Sequence, residues 1–500
     1  MRAAGLHSID NTTKNRNFQS PPITIKPMRR AALLLLLSAV SAAGQDFSLT
    51  QLQGLWTGTL NEGILNLRVA IRFDKNGAGK LDSLDQHVTG IPVTAVRVQG
   101  YRVTFRVDSV DGAFSGIVMD EGNRLDGEWY QGTTLPFILA RDGVMPKIKR
   151  PQTPRPPFPY TEQDVKFPSF ARNVFLDATL TIPEGSGPFP GVVLITGSGP
   201  QDRDESNLGH KPFWVIADYL ARRGVVVLRA DDRGTGKSTG IFNGATTRDF
   251  ADDTAGAVRF LRTREFVGRI GLIGHSEGGL VAPMVASDPG LGGKEVDFLV
   301  LMAAPGVPGD QIVIEQQILV SRAMGLPETL IERNREREQK ILSVARSEAD
   351  PVLAKAKMRA AVGDFGGNPM SLLNSRFEEA TTPWFRFLIG YDPGPALRAL
   401  KIPVLALNGA LDVQVPPEQN LPAITWELEA GANKDYEVVK LAGLNHFFQT
   451  ATTGAPSEYG EIEETIAPTV LNLIGEWIGR HSIAKEKVKP VLGGPLPSRE

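Results

Sequence analysis

The chain of 500 residues contains no cysteine, which excludes disulfides, thiolate metal sites and a lipidated N-terminal cysteine. Its formal net charge is only -2 at pH 7, so neither a nucleic-acid partner nor an anionic membrane surface is implied. No apolar run is long enough to hold a permanent span across a bilayer, and no internal repeat is present. Histidine is scarce, with six in all, so a search for a catalytic base is short.

What is present is punctuated. Met28-Arg29-Arg30, then Ala31 to Leu37, then the small residues Ser38 to Gly44 follow the charged, apolar and cleavage-site order of a secretory signal. Residues 1–44 are therefore expected to be a signal peptide, and the mature protein to be periplasmic or extracellular. A buried N-terminal helix is the competing reading. Residues 1–27 are polar and patternless, an expected non-native extension before a start at Met28. Residues 46–142 hold short alternating segments such as Leu65 to Phe73, broken by Asp-Gly and Asn-Gly turns, and predict a small antiparallel β domain. The run 143–160, with six prolines from Pro146 to Pro159, reads as an extended linker. Over 161–482, apolar strands (Gly191 to Thr196, Val225 to Arg229, Ile270 to Ile273, Phe298 to Met302, Pro403 to Leu407) alternate with helix-length segments, which predicts an α/β parallel sheet. The hundred residues between the last two strands exceed any crossover, so about 306–395 is expected to be a helical lid. The tail 483–500 is expected to be disordered.

Gly274-His275-Ser276-Glu277-Gly278 lies between an apolar strand and a small-residue helix, the strand-turn-helix context of a nucleophile elbow. The string alone carries little weight in a chain with 52 glycines. Gly236-Lys237-Ser238-Thr239-Gly240 also matches but leads into loop, so Ser238 is a decoy. A phosphate-loop reading of the same segment fails because Asp231 and Asp232 would repel phosphate. A serine needs a histidine base and a carboxylate behind it. In chain order serine, acid, histidine, only His446 and His481 follow, and His481 at the end of the last helix reads as surface. His446 is the expected base; His275 is expected to pack beside the turn. Asp412, after the strand ending at Leu407, is the expected acid, with Asp310 as a competitor better read as a helix cap. Oxyanion donors are expected from the Glu277 N–H and from the loop Gly197-Ser198-Gly199-Pro200, Ser198 first and Gly199 second. Asp202, Arg203 and Asp204 are expected to form an ion-paired network that holds this loop rather than to clamp substrate.

Taken together, these motifs and Asp231-Asp232-Arg233-Gly234-Thr235-Gly236 resemble the α/β-hydrolase superfamily. More narrowly they resemble exported bacterial carboxylesterases with an N-terminal β domain, related to the serine aminopeptidase-like group. The resemblance implies an α/β-hydrolase fold with a helical lid, the triad Ser276, Asp412 and His446, and cleavage of short or medium acyl esters of small molecules through an acyl-enzyme, without metal or cofactor. The Glu277 side chain could face the pocket or the solvent. Ile318, Leu319 and Met324, with Trp384, Phe385, Phe387 and Leu388, are expected to line an acyl pocket under the lid. Two other readings stay open: a peptidase or aminopeptidase on the same triad, and a binding protein with a vestigial hydrolase domain. An aminopeptidase would need free acids such as Glu328, Glu332, Glu336 and Glu338, which the alternating arginines of that helix are expected to neutralise on a solvated face.

Overall fold

A computed structural model describes residues 47–482 except 63–64, 84–87, 132–133, 142–148 and 364–369. The expected signal peptide, translation start, tail and first part of the linker lie outside the described residues.

A short helix, α1 (Leu49–Leu52), leads into β1 (Gly54–Glu62), β2 (Leu65–Phe73), β3 (Gly79–Ser83), β4 (Val88–Gln99), β5 (Arg102–Val107), β6 (Gly112–Met119), β7 (Arg124–Tyr130) and β8 (Thr134–Arg141). Each strand pairs antiparallel with the next, and β1 pairs with β8, so the expected small β domain is a closed barrel. Alternation sets what points inward: in β5, Val103, Phe105 and Val107 are buried while Arg102 and Arg106 face water. The interior is filled by aromatic rings, with Phe105 stacked on Phe114 at 4.8 Å and Phe114 edge-on to Phe137 at 5.9 Å. An eight-stranded barrel is just wide enough for side chains to fill it, and here they do.

The second sheet contains β9 (Tyr160–Pro168), β10 (Phe175–Pro183), β11 (Phe189–Ile195), β12 (Val226–Ala230), β13 (Val267–His275), β14 (Phe298–Met302), β15 (Val404–Gly409) and β16 (Tyr436–Leu441). Its order is β16-β15-β14-β13-β11-β12-β10-β9, with β11 to β16 parallel and the β9–β10 hairpin antiparallel at one edge. The hairpin's first strand was not legible from alternation, because Tyr160 to Pro168 buries little besides Tyr160 and Phe167. Helices α3 (Thr247–Arg262), α4 (Gly278–Ser287) and α11 (Pro417–Ala430) cover one face; α2 (Pro212–Ala221) and α12 (Pro468–Ser482) cover the other. Successive strand residues alternate between these cores, Val193 and Leu272 to one and Val192 and Ile273 to the other.

The insertion between β14 and β15 forms α5 (Gly309–Ala323), α6 (Glu328–Ser347), α7 (Pro351–Val362), α8 (Met370–Ala380), α9 (Pro383–Gly390) and α10 (Gly394–Ala399). Ile341, Leu342, Met358, Phe377, Phe385 and Ile389 give it a core of its own. The described part of the proline-rich run is anchored through its side chains. Arg150 donates to the carbonyls of Leu208, Gly460 and Ile462, and Gln152 bonds the backbone at Thr465 and Ile466. A chain that cannot join a sheet is here held through its side chains.

Candidate active site

The order of strands reverses across β11: the chain moves outward to β12, then returns to β13 on the other side. The loops leaving β11 and β13 therefore diverge and open a crevice at the carboxyl edge of the sheet. The first is the loop Gly197-Ser198-Gly199; the second carries Ser276. Ser276 sits at φ 53, the left-handed region that a side chain rarely adopts, and its N–H is anchored to the Met302 carbonyl of β14 at 2.9 Å. The flanking glycines are steric necessities. A Cβ on Gly274 would lie 2.1 Å from the Gly278 carbonyl oxygen, and one on Gly278 would lie 2.3 Å from that of Ile195.

Asp412 follows β15 and is buried, its Oδ1 accepting from the N–H groups of Gln414 at 2.8 Å and Val415 at 2.9 Å. Its Oδ2 lies 2.8 Å from Nδ1 of His446, which follows β16. An ionised carboxylate can only accept, so Nδ1 carries the proton and Nε2 keeps its lone pair. Asn445 shapes the histidine loop by accepting from the N–H groups of Phe447 and Gln449. Ser276, His446, Ser198, Glu277, Trp384 and Phe385 border one cavity of about 700 Å³. Gly199 is not a wall residue. In its loop the Gly197 N–H goes to Glu205 at 2.7 Å, the Gln201 N–H goes to Asp232 at 2.9 Å, and Pro200 has none. Ser198 and Gly199 remain the expected oxyanion donors of this loop.

Ser238 takes no part. Its hydroxyl donates to the Asp231 carbonyl at 2.8 Å and accepts from the Asp177 N–H at 2.9 Å, a buried strut beneath the loop. The acidic loop residues form the expected network. Arg203 pairs with Asp231, Asp177 and Asp164, Asp204 pairs with Arg229 and Lys211, and Asp202 accepts from the N–H groups of Asp204 and Ser206. His481 bonds the Trp477 carbonyl and Asp435 at the end of α12.

Several expectations are corrected. Asp310 does not cap α5, whose N-cap is Pro308; it lies in the first turn and pairs with Arg346 of α6 at 2.8 Å. Ile318, Leu319 and Met324 are not cavity walls; the same helix presents Ile312, Val313, Gln316, Gln317 and Val320 instead. Phe387 stacks on Tyr391 against the hydrolase core, while Leu388 reaches the cavity. Glu338 is not on a solvated face. It is buried at the lid end of the cavity and paired across helices with Arg376, whereas Glu328 and Glu332 pair on the surface with Arg322 and Arg335.

Sequence reasoning missed Glu205, the residue after the acidic triplet. It sits at φ 51 and contacts His275 Nδ1 at 2.9 Å, while His275 Nε2 donates to the His446 carbonyl at 3.1 Å. Burial opposes a charge on His275, but the Glu205 carboxylate outweighs it and raises the imidazole above its ordinary range. One ion pair thereby ties the loop after β11 to the elbow and the histidine loop. Glu277 faces the pocket, and burial raises its carboxyl above the usual range despite hydrogen bonds from Thr247 and Trp384. Among the described residues no cluster of three His, Asp or Glu could hold a metal ion, and no helix is long and apolar enough to cross a membrane.

An open mixed sheet, a nucleophile elbow at its switch point and a histidine-carboxylate pair at the ends of the following strands define a class, and residues 192–455 match the model of the alpha/beta hydrolase family, to which this chain belongs. The chain is similar to the esterase EstD of Thermotoga maritima, 27% identical over 383 residues, covering 76% of this chain and 79% of that one. Similar solved structures include the esterase Pf2001 of Pyrococcus furiosus, with a TM-score of 0.41 and 17% identity over 65% of this chain and 92% of that chain. A malate-bound thermophilic esterase from Thermogutta terrifontis matches at a TM-score of 0.36 and 22% identity, over 64% of this chain and 99% of that one.

Proposed function

We propose that this hydrolase cleaves carboxylic esters of short or medium acyl chain through a serine acyl-enzyme. The observation that carries the reading is the His446–Asp412 pair on the wall of the cavity that holds Ser276 at its strained turn. Ser276 Oγ attacks the ester carbonyl carbon as His446 Nε2 takes its proton, and Asp412 holds the resulting imidazolium. The N–H groups of Glu277 and Ser198 receive the tetrahedral oxyanion at the N-terminal end of α4. Collapse expels the alcohol with the proton from His446; water, activated by the same nitrogen, then releases the acid and restores Ser276.

The pocket's acids support an ester over an aminopeptide substrate. Glu277 is met by the Thr247 hydroxyl and the Trp384 indole and Glu338 by Arg376, so neither offers an open carboxylate to a substrate ammonium. The name of the Thermotoga maritima relative supports the same reading. Purified protein should hydrolyse an aryl butyrate and leave an aminoacyl anilide intact; the reverse preference would replace the ester reading with the peptidase one, and neither activity would favour a binding protein. Trp384, Phe385 and Leu388 supply the apolar wall, and the charged groups Arg337, Glu338, Arg376 and Glu379 bound the lid end. Each substrate methylene buried on that wall is worth about 0.8 kcal/mol, so kcat/KM rises with acyl length and then falls where the chain meets the charges. Export is part of the proposal, carried by the pattern of residues 28–44 alone; recovery of uncleaved protein from the cytoplasm only would overturn it.

A further inference from the structure

Glu277 is an unusual neighbour for a nucleophile. It is almost wholly withdrawn from water, 4% exposed, and donors from two separate parts of the molecule converge on its carboxyl. The Trp384 indole N–H of α9 is shared between both oxygens, at 3.0 and 3.1 Å. The Thr247 hydroxyl, from the first residue of α3, donates to Oε1 at 2.7 Å. Ser198, on the loop after β11, borders the cavity beside Ser276. Trp384 borders the same cavity, while Thr247 is buried.

A buried carboxyl without donors would be costly, and packing alone is satisfied at such a position by an apolar side chain. Its presence therefore calls for a role that needs an acceptor. An indole N–H can only donate, so Trp384 holds its place in the cavity wall through Glu277. Glu277 also carries one of the backbone N–H groups expected to receive the oxyanion. We propose that Glu277 is a positioning residue whose carboxyl, fixed by Thr247 of α3, draws the lid's Trp384 onto the nucleophile elbow, so that the acyl wall and the Glu277 oxyanion donor are set by one group. This rests on the ester-hydrolase reading above. The residue does not touch reacting atoms through its side chain; it sets the position of those that do.

Substitutions separate this role from packing. Glu277→Leu keeps bulk and removes every acceptor, so kcat for an aryl butyrate should fall by about 10²-fold, the scale of a lost oxyanion donor, with KM changed far less. Glu277→Gln keeps a carbonyl oxygen for the indole, and the Thr247 hydroxyl can turn to accept from its amide, so it should recover most of that loss. Trp384→Phe keeps a ring but not the N–H; it should broaden the acyl-length profile in the wild-type background and have no further effect in Glu277→Leu. Labelling of Ser276 by a fluorophosphonate should reach completion in each folded variant, more slowly in Glu277→Leu. Full activity in folded Glu277→Leu would overturn the proposal. So would failure of Glu277→Gln to recover activity, or additive effects of the Glu277→Leu and Trp384→Phe changes. If Glu277→Leu does not fold, the Glu277→Gln and Trp384→Phe results decide alone, an unchanged profile in Trp384→Phe counting against it. Wild-type protein that neither labels nor cleaves any ester would instead remove the parent reading.

Discussion

The molecule holds two sheets of eight strands, and they treat charge in opposite ways. In the barrel every strand is paired on both sides, the connections are short, and the interior is a continuous set of apolar and aromatic side chains. Its ion pairs, such as Arg106 with Asp108 and Arg124 with Asp126, lie at the surface, where each is worth little. In the open sheet, buried pairs crowd the carboxyl edge: Arg229 with Asp204, Arg233 with Asp253, Arg203 with Asp231, and His275 with Glu205. Closing this antiparallel sheet on a filled interior removes edges and reversals of strand order alike, so its loops flank no switch point. An open parallel sheet makes a crevice at its switch point, and its loops, which cannot pair with each other, are held by side-chain charges instead.

If catalysis lives wholly at the open sheet, the largest effects belong there. Ser276→Ala should lower aryl butyrate hydrolysis by about 10⁴-fold or more, while Ser238→Ala stays within a few-fold and loses only stability. Equal losses in folded forms of both would sink the elbow assignment. His446→Ala should match the serine variant, and Asp412→Asn should keep the fold yet lower kcat by about 10⁴-fold by favouring the wrong tautomer. If Asp310→Asn proved crippling and Asp412→Asn mild, the acid would have to move to the end of β14.

A barrel substitution sharpens the contrast from the other side. Phe105→Ala empties the centre of the ring stack and should cost about 3–5 kcal/mol in denaturant unfolding, with kcat unchanged wherever the protein remains folded. A folded Phe105→Ala protein with a much reduced kcat would show that the closed sheet contributes to the chemistry.

The smallest effect is a pH dependence of stability that the barrel should lack. Burial raises the Asp232 carboxyl from 3.8 to about 8, with repulsion from Asp253 and Glu205 adding to it against hydrogen bonds from the Gln201 N–H and the Thr196 hydroxyl. The native state thus holds this proton more tightly than the unfolded chain does. The stabilisation is complete below the unfolded value near pH 4 and is lost as pH rises through about 8. Asp232→Asn should shrink the fall in Tm between about pH 5 and about pH 9. Identical slopes for variant and wild type would refute the assignment.

How far this was legible in advance differs by residue. Ser276 could be found because its evidence is local: a strand, two glycines that must lack Cβ atoms, and a helix all lie within a few residues. Asp412 and His446 required only the order of strands along the chain. Glu338 was misread because the charge alternation around it is what a solvated helix shows, and its partner Arg376 lies 38 residues away on another helix. Ile318, Leu319 and Met324 were misplaced for a related reason. Apolar residues on a helix mark its buried side, but which neighbour that side meets is set by packing.

The sequence by itself determined the period of each segment, the elbow, the parallel architecture from Gly191 onward, and the chain order Ser276, Asp412, His446 of the proposed triad. Those are matters of turn geometry and near-neighbour spacing, which the chain carries in its local pattern. Tertiary structure alone decided that the first eight strands close on themselves, that Glu205 locks His275 from 70 residues away, and that Glu277 meets a lid tryptophan 107 residues distant. Many carboxylates and many donors along the chain could have met; which of them did was decided only when the helices packed across the sheet and brought these groups within hydrogen-bond reach.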